Sequence, residues 1–271
     1  MKKRILSTLT GVIFLTGCAG QEIDEQMIIV AHRGGAALGP ENTLSCIHAG
    51  IESGADMVEV DVHLTADGQV VVCHDETIDR TTDKKGRIED LTLEQIRSAQ
   101  IKDAPPGERI PTLEEVLREV KGRCGLLLEI KKTRDDEYPG IEEKILEELD
   151  KLDMRGPGVV VQSFNGSVLE RFHELAPELR LEKLLVCRFL GRWAIDVGIS
   201  RFSIRQYDYV QSFNCYAPLL SRRLIRLIHE EGKEVKVWTV DNPKKVPAGI
   251  EGVITDCPDL FVRLRKESTR R

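Results

Sequence analysis

Met57-Val58-Glu59-Val60-Asp61-Val62-His63-Leu64-Thr65-Ala66-Asp67-Gly68-Gln69-Val70-Val71-Val72-Cys73-His74 decides the fold. Its two apolar-rich arms read as strands, and the Asp-Gly between them signals a tight turn. So short a turn joins antiparallel strands, because parallel neighbours need a crossover of about a dozen residues or more. Val70–His74 is therefore a hairpin return beside Met57–His63. Outward from this pair, β-branched runs recur at Met27–His32, Gly125–Lys131, Val159–Phe164, Leu181–Cys187, Tyr207–Phe213, Glu234–Val240 and Gly252–Thr255. Helical patterns lie between most of them, as at Thr43–Ser53, Thr112–Val120, Gly140–Leu152, Ser167–Leu175 and Leu219–Glu231. Thr112 with Glu115 three residues on is a helix-start signature. With the return strand set aside, eight parallel strands remain in βα order. The expected fold is a (β/α)8 TIM barrel. The polar stretch 76–110, rich in Asp, Lys and Pro, predicts a small insertion on its rim after His74-Asp75.

Composition agrees and excludes other classes. The chain has 271 residues, 41% hydrophobic and 31% charged, an ordinary globular balance. Aromatics are 5%, too few for a surface that stacks single-stranded bases. The 39 basic against 45 acidic residues give a net charge of −6, which argues against a nucleic-acid partner.

The first residues are an address. Met1-Lys2-Lys3-Arg4 is a basic start, Ile5 to Leu15 is mostly apolar, and Leu15-Thr16-Gly17-Cys18 follows. The run is shorter than the ~20 residues of a membrane span and reads as a secretory signal. Its end resembles the lipobox of bacterial lipoproteins. The expected organisation is a signal over 1–17, a lipidated Cys18 with a tether to residue 26, and a barrel over 27–271. The protein would then be exported and held to a membrane through Cys18. The six other cysteines show no CxxC spacing, so a zinc site is not expected. Cys73, inside Val70-Val71-Val72-Cys73, reads as a small buried residue. The basic tail, Arg263, Arg265, Lys266, Arg270 and Arg271, reads as the solvated end of the last helix.

Strand parity places the charges. Side chains alternate faces, so if the valines of Val58–His63 meet the helices, Glu59, Asp61 and His63 point into the barrel. The same rule turns Glu129 and Lys131 inward. Three buried carboxylates need compensation, since each unpaired one costs several kcal/mol. Lys131 is one source. A hard divalent cation, Mg²⁺ or Ca²⁺, is the other, because an all-oxygen ligand set suits it better than zinc. The competing reading is an ordinary ion-pair layer with Lys131 and Arg33. His32 and His74 end their strands, where groups of this fold do chemistry, and two imidazoles supply an acid and a base near neutral pH. His48, His173 and His229 read as helix-surface residues, and His63 stays undecided.

In order along the chain stand His32-Arg33-Gly34, Pro40-Glu41-Asn42-Thr43, Gly54-Ala55-Asp56, Glu59-Val60-Asp61-Val62, Thr65-Ala66-Asp67-Gly68, His74-Asp75 and Arg80-Thr81-Thr82. Ile110-Pro111-Thr112-Leu113, Glu129-Ile130-Lys131, Ser163-Phe164, Trp238-Thr239-Val240 and Thr255-Asp256 follow. With these segments the chain resembles the glycerophosphodiester phosphodiesterases, a (β/α)8 family with an insertion after the His-Asp segment. The resemblance implies metal ligands at Glu59, Asp61 and Glu129, and a catalytic acid/base pair at His32 and His74. It implies that Arg33, Glu41 and Lys131 bind the phosphate and hold the site together, and that Gln162 and Trp238 line the substrate pocket. The implied reaction is hydrolysis of a glycerophosphodiester to glycerol 3-phosphate and an alcohol. Cys46 departs from the family, standing where an aromatic is common, and Arg188–Arg205 has no counterpart. Two alternatives stay open. One is a phospholipase D-like or lysophospholipase D-like enzyme, with Phe189, Trp193, Ile195 and Phe202 as an apolar groove. The other is a non-catalytic surface lipoprotein that binds headgroups.

Overall fold

The computed structural model describes residues 23–133, 138–190, 193–196 and 203–269, with backbone alone for 187–190 and 193–196. The eight barrel strands are β1 (Ile28–Ala31), β2 (Met57–Leu64), β4 (Gly125–Ile130), β5 (Val159–Ser163), β6 (Arg180–Leu185), β9 (Ser212–Tyr216), β10 (Glu234–Trp238) and β11 (Gly252–Thr255). They pair in parallel in that order, and β11 pairs back onto β1, closing the ring. The return strand β3 (Val70–Val72) lies antiparallel on β2, with His63 opposite Val71. A further hairpin, β7 (Cys187–Leu190) and β8 (Trp193–Asp196), forms its own two-stranded sheet.

Helices α1 (Leu44–Glu52), α3 (Leu113–Val120), α4 (Ile141–Lys151), α5 (Gly166–Leu175), α6 (Arg222–Glu230) and α7 (Pro258–Ser268) cover the barrel; short α2 (Leu93–Arg97) belongs to the insertion. The expected Thr112 cap is present: its hydroxyl accepts from the Glu115 amide, and the Glu115 carboxylate accepts from the Thr112 amide. The main core lies between strands and helices, with Val58, Val60, Val62, Leu126 and Leu128 all fully buried. Inside the barrel, Val30, Leu127, Val160 and Ile254 form a separate apolar plug. Parity therefore holds as the sequence predicted, with Leu127, Glu129 and Lys131 on the inner face of β4. Register lines Asp61 up with Glu129, and Glu129 with Gln162.

The insertion has its own small core of Val71, Cys73, Ile78, Ile88, Ile96, Ala99 and Ile110. Cys73 is buried there as expected, and burial pushes its thiol up to about 12. Of the basic tail, Arg263 and Lys266 are exposed, whereas Arg265 is half-buried and reaches back to Asp56 at 2.6 Å, docking α7 against the start of the barrel; Arg270 and Arg271 lie outside the described residues. Ile23, within the stretch expected to be a tether, is 2% exposed and packs in the main core.

One strand needs correction. Tyr207–Phe213 was expected to be extended, yet Ile204–Tyr207 is a 3-10 turn and β9 begins only at Ser212. Tyr207, closing that turn, and Val210, in the loop after it, are buried, which imitates a strand pattern. The true strand turns Ser212 and Asn214 inward, and these polar side chains hide it. They join an interior network in which Asn214 donates to Gln162 (2.7 Å) and Glu182 (2.9 Å), while Lys236 and Arg180 pair with Glu182. Residues 1–17, Cys18, Phe202 and the side chains of Phe189, Trp193 and Ile195 lie outside the described residues. No described helix is long and apolar enough to cross a membrane.

Candidate active site

The site is built at the C-terminal ends of the strands, where the loops of this fold converge. After β1 the chain enters the turn His32–Gly34. Arg33 takes a left-handed φ of 51°, and its amide donates to Glu59 Oε2 at 2.8 Å. Gly34 follows at φ 86°, packed so closely on α1 that a Cβ would lie 2.8 Å from the Ile47 amide. This strained turn aims His32 into the barrel mouth while the backbone braces Glu59.

His32, Arg33, Glu59, His74, Glu129, Lys131, Gln162 and Trp238 surround one cavity, closed further by Phe164, Leu184, Thr239 and Ile254. Asp61 is fully buried beside Lys131, one of the lining residues, and does not itself line the cavity. Glu41 sits behind Arg33, 3.0 Å from its Nη1, and does not line the cavity. Phe164, Trp238 and Tyr216 make an aromatic edge, with Trp238 5.7 Å from Phe164 and 5.1 Å from Tyr216 between ring centres. The Trp238 indole N–H is fixed by the Asn214 carbonyl at 2.8 Å.

The carboxylates of Glu59, Asp61 and Glu129 each offer an oxygen within 4.8 Å of the others. Lys131 Nζ lies 2.8 Å from Asp61 and 2.5 Å from Glu129. Asn42 donates to the second Asp61 oxygen at 2.8 Å, which explains the Glu-Asn-Thr segment. Glu59 Oε1 is buried with no hydrogen-bond partner. Burial, then the neighbouring Asp61 charge, pushes its carboxyl up to about 8. Burial also raises Glu129, against the pull of Lys131. One lysine, and an arginine shared with Glu41, leave this nest short of positive charge. An orphaned, buried oxygen among three carboxylates fits a hard divalent cation, better than the ion-pair layer alone.

Each flanking imidazole has its own carboxylate. His32 Nδ1 is 2.6 Å from Asp256, and His74 Nδ1 is 2.7 Å from Asp75. Burial pulls His32 down, but the Asp256 hydrogen bond and the Glu59 charge outweigh it, so its pKa lies above the ordinary value. Burial and then Lys131 hold His74 below it. Arg80, from the insertion, donates to both oxygens of Asp75 and both of Glu41. Sequence reasoning gave no role to Asp75, Asp256, Arg80 or Asn42, although all four stand inside or beside the quoted motifs. The surface histidines are as expected: His48 pairs with Glu119, His229 with Glu251, and His173 stacks on Tyr209.

Two carboxylate-backed imidazoles beside a nest suited to a cation, at the mouth of a closed barrel, define the class: a (β/α)8 enzyme. The model of the glycerophosphoryl diester phosphodiesterase family matches residues 32–260. The chain is 35% identical over 246 residues to the glycerophosphodiester phosphodiesterase of Caldanaerobacter subterraneus subsp. tengcongensis, covering 88% of this chain and 97% of that one. It superposes on the Thermotoga maritima glycerophosphodiester phosphodiesterase with a TM-score of 0.68 at 28% identity, covering 88% and 98%. An Agrobacterium tumefaciens structure at 24% identity shares the fold, with a TM-score of 0.79 over 91% of this chain and all of that one. The chain belongs to the glycerophosphoryl diester phosphodiesterase family and is a phosphodiesterase.

Proposed function

We propose that this phosphodiesterase hydrolyses small glycerophosphodiesters to glycerol 3-phosphate and an alcohol, with His32 and His74 as its acid–base pair and a divalent cation, Mg²⁺ or Ca²⁺, held by Glu59, Asp61 and Glu129. The observation that carries this reading is the pairing of two imidazoles, each with its own carboxylate, around a cavity that also holds Arg33, Lys131 and the orphaned Glu59 oxygen. The diester is an anion, so Arg33 and Lys131 offset its charge and meet the phosphoryl oxygens. A divalent cation, when bound, adds Lewis-acid polarisation of the phosphoryl group. His74, with the lower pKa, is the neutral base that takes the proton of the attacking oxygen. His32, with the higher, is the acid that gives a proton to the departing alcohol. Gln162 and Trp238 shape the wall against the glycerol, and Glu41 fixes Arg33.

The deciding experiment is release of glycerol 3-phosphate from glycerophosphoethanolamine by protein lacking residues 1–18, in chelator and then with Mg²⁺ or Ca²⁺ restored. Release only with metal supports the reading; a folded protein idle with every metal overturns it. The aromatic edge, with Phe164 42% exposed, favours a second reading in which lysolipids are accepted. Lysophosphatidylethanolamine in the same assay separates the two. We further propose that the chain is an exported lipoprotein anchored through Cys18, on the strength of residues 1–18. Labelled palmitate should enter the wild type and not Cys18→Ala.

A further inference from the structure

His63 is the inward residue of β2 that the proposed chemistry leaves unused, and it is 1% exposed. Its Nε2 lies 3.3 Å from the main-chain carbonyl of His74, and its Nδ1 2.7 Å from the Tyr138 hydroxyl. The rings of His63 and Tyr138 meet edge-on, 5.7 Å apart. A carbonyl can only accept, so Nε2 carries the proton. In the neutral ring Nδ1 is then an acceptor, and the tyrosine donates. The tautomer is fixed from both sides. Tyr138 lies in the loop between β4 and α4 and is itself buried. The chain thus joins three pieces around one imidazole: the strand bearing Glu59 and Asp61, the loop after β4, and the point where His74 leaves β3. One residue earlier, the Cys73 amide donates to the Asp61 carbonyl at 2.9 Å. These are two of the bonds that hold the main chain at His74, and only the one from His63 comes from a side chain.

We propose that His63 and Tyr138 are a positioning pair that sets the aim of the His74 imidazole by gripping its main-chain carbonyl. This inference rests on the role given to His74 above. A misplacement of about 1 Å costs up to about 10²-fold in rate, so the grip should appear in kcat rather than in KM. Glutamine has the donor and the acceptor needed to reproduce both contacts, whereas leucine has neither.

The test compares His63→Leu, His63→Gln and Tyr138→Phe with the full-length wild type, each checked for folding by circular dichroism. We expect His63→Leu to lower kcat about 10- to 100-fold with KM within about twofold, Tyr138→Phe to lower it several-fold, and His63→Gln to recover most of the loss. A second readout needs no turnover: the ring-proton resonances of His74 should shift or broaden in His63→Leu and return in His63→Gln. A merely structural role would lower the melting temperature and leave kcat and the His74 resonances unchanged, and that result overturns the inference. If the wild type is idle on glycerophosphodiesters, the functional reading fails, and the His74 resonances still decide this one.

Discussion

His32 Nδ1 lies 2.6 Å from Asp256 Oδ1, so the imidazole ending the first barrel strand is oriented by the carboxylate ending the last, 224 residues away. That hydrogen bond is the largest influence raising the histidine's pKa. Asp256→Asn should therefore let His32 lose its proton at lower pH. The alkaline limb of the kcat/KM profile should move toward acid and the acid limb, set by His74 and its intact Asp75, should stay. We expect kcat to fall about 10²-fold, as acid–base groups typically contribute 10²–10⁴. Unmoved limbs in a pH–rate series would remove His32 from the acid role.

Arg80 clamps Asp75 and Glu41 at once, with contacts of 2.6 Å to each, and so couples the supports of His74 and Arg33. Its side chain is 47% exposed, so solvent screening leaves little stability in the clamp. Arg80→Ala should lower kcat about tenfold while the melting temperature changes by less than about 3 °C. Arg80→Lys keeps the charge but not the planar fork, and should recover only a minor part. Equal rates for all three proteins would show that the insertion does not act on the site.

The nest of carboxylates should respond to metal even without substrate. Glu59 is raised by burial and by Asp61 from the ordinary 4.5 to about 8. A carboxyl with a raised folded pKa favours the fold below its unfolded value and costs stability as pH climbs through the folded one. Relative to Glu59→Gln, metal-free wild type should thus lose stability between about pH 4.5 and 8. Mg²⁺ or Ca²⁺ at a hundredfold excess over Kd should return about 5 °C or more in melting temperature at pH 8. Glu59→Gln should melt higher than wild type in chelator, gain nothing from metal and show no turnover. Calorimetry with and without chelator checks the two melting outcomes, and the glycerol 3-phosphate assay checks the third.

Glu148 offers the same sign far from the chemistry. Its Oε2 on α4 is buried without a hydrogen bond, and burial followed by the Glu114 charge pushes its carboxyl up to about 7. Ionised at pH 8, it should cost about 1 kcal/mol after discounting for partial exposure. Glu148→Gln should raise the melting temperature by about 2–4 °C at pH 8 and leave it unchanged at pH 4. A gain that is the same at both values would mean that charge is not the cause.

Much of this is legible in the sequence itself. The Asp-Gly turn fixed β2 against β3, and period-two alternation turned Glu59, Asp61, Glu129 and Lys131 inward, because both are local rules with few exceptions. Tyr207–Phe213 misled for the converse reason. The inner face of β9 is polar, filled by partners from β5, β6 and β10 that no local window sees. The carboxylates behind the histidines divide in the same way. Asp75 is adjacent to His74, whereas Asp256 reaches His32 only after the ring has closed. Glu41 shows the limit of motif reading: its segment was recognised, but only the fold reveals that it faces Arg33 and Arg80 rather than the cavity.

The rim insertion departs after β3 and comes back beside it. The Val72 amide donates to the Pro111 carbonyl at 2.9 Å, and Val71 bridges to Thr112. To the barrel, then, residues 76–110 are a detachable cassette whose two leads are already soldered together. Its length and outer surface can drift, or be exchanged with those of a relative, without disturbing the strands beneath. Arg80 is the wire that reaches the supports of the reacting groups, while Leu91 and Leu93 on the turn at Ala66-Asp67, Glu108 on Ser45 and Arg97 on Glu115 fasten the cassette to the barrel. A scaffold wired in this way can change what it admits at the rim while the reacting groups below keep their settings.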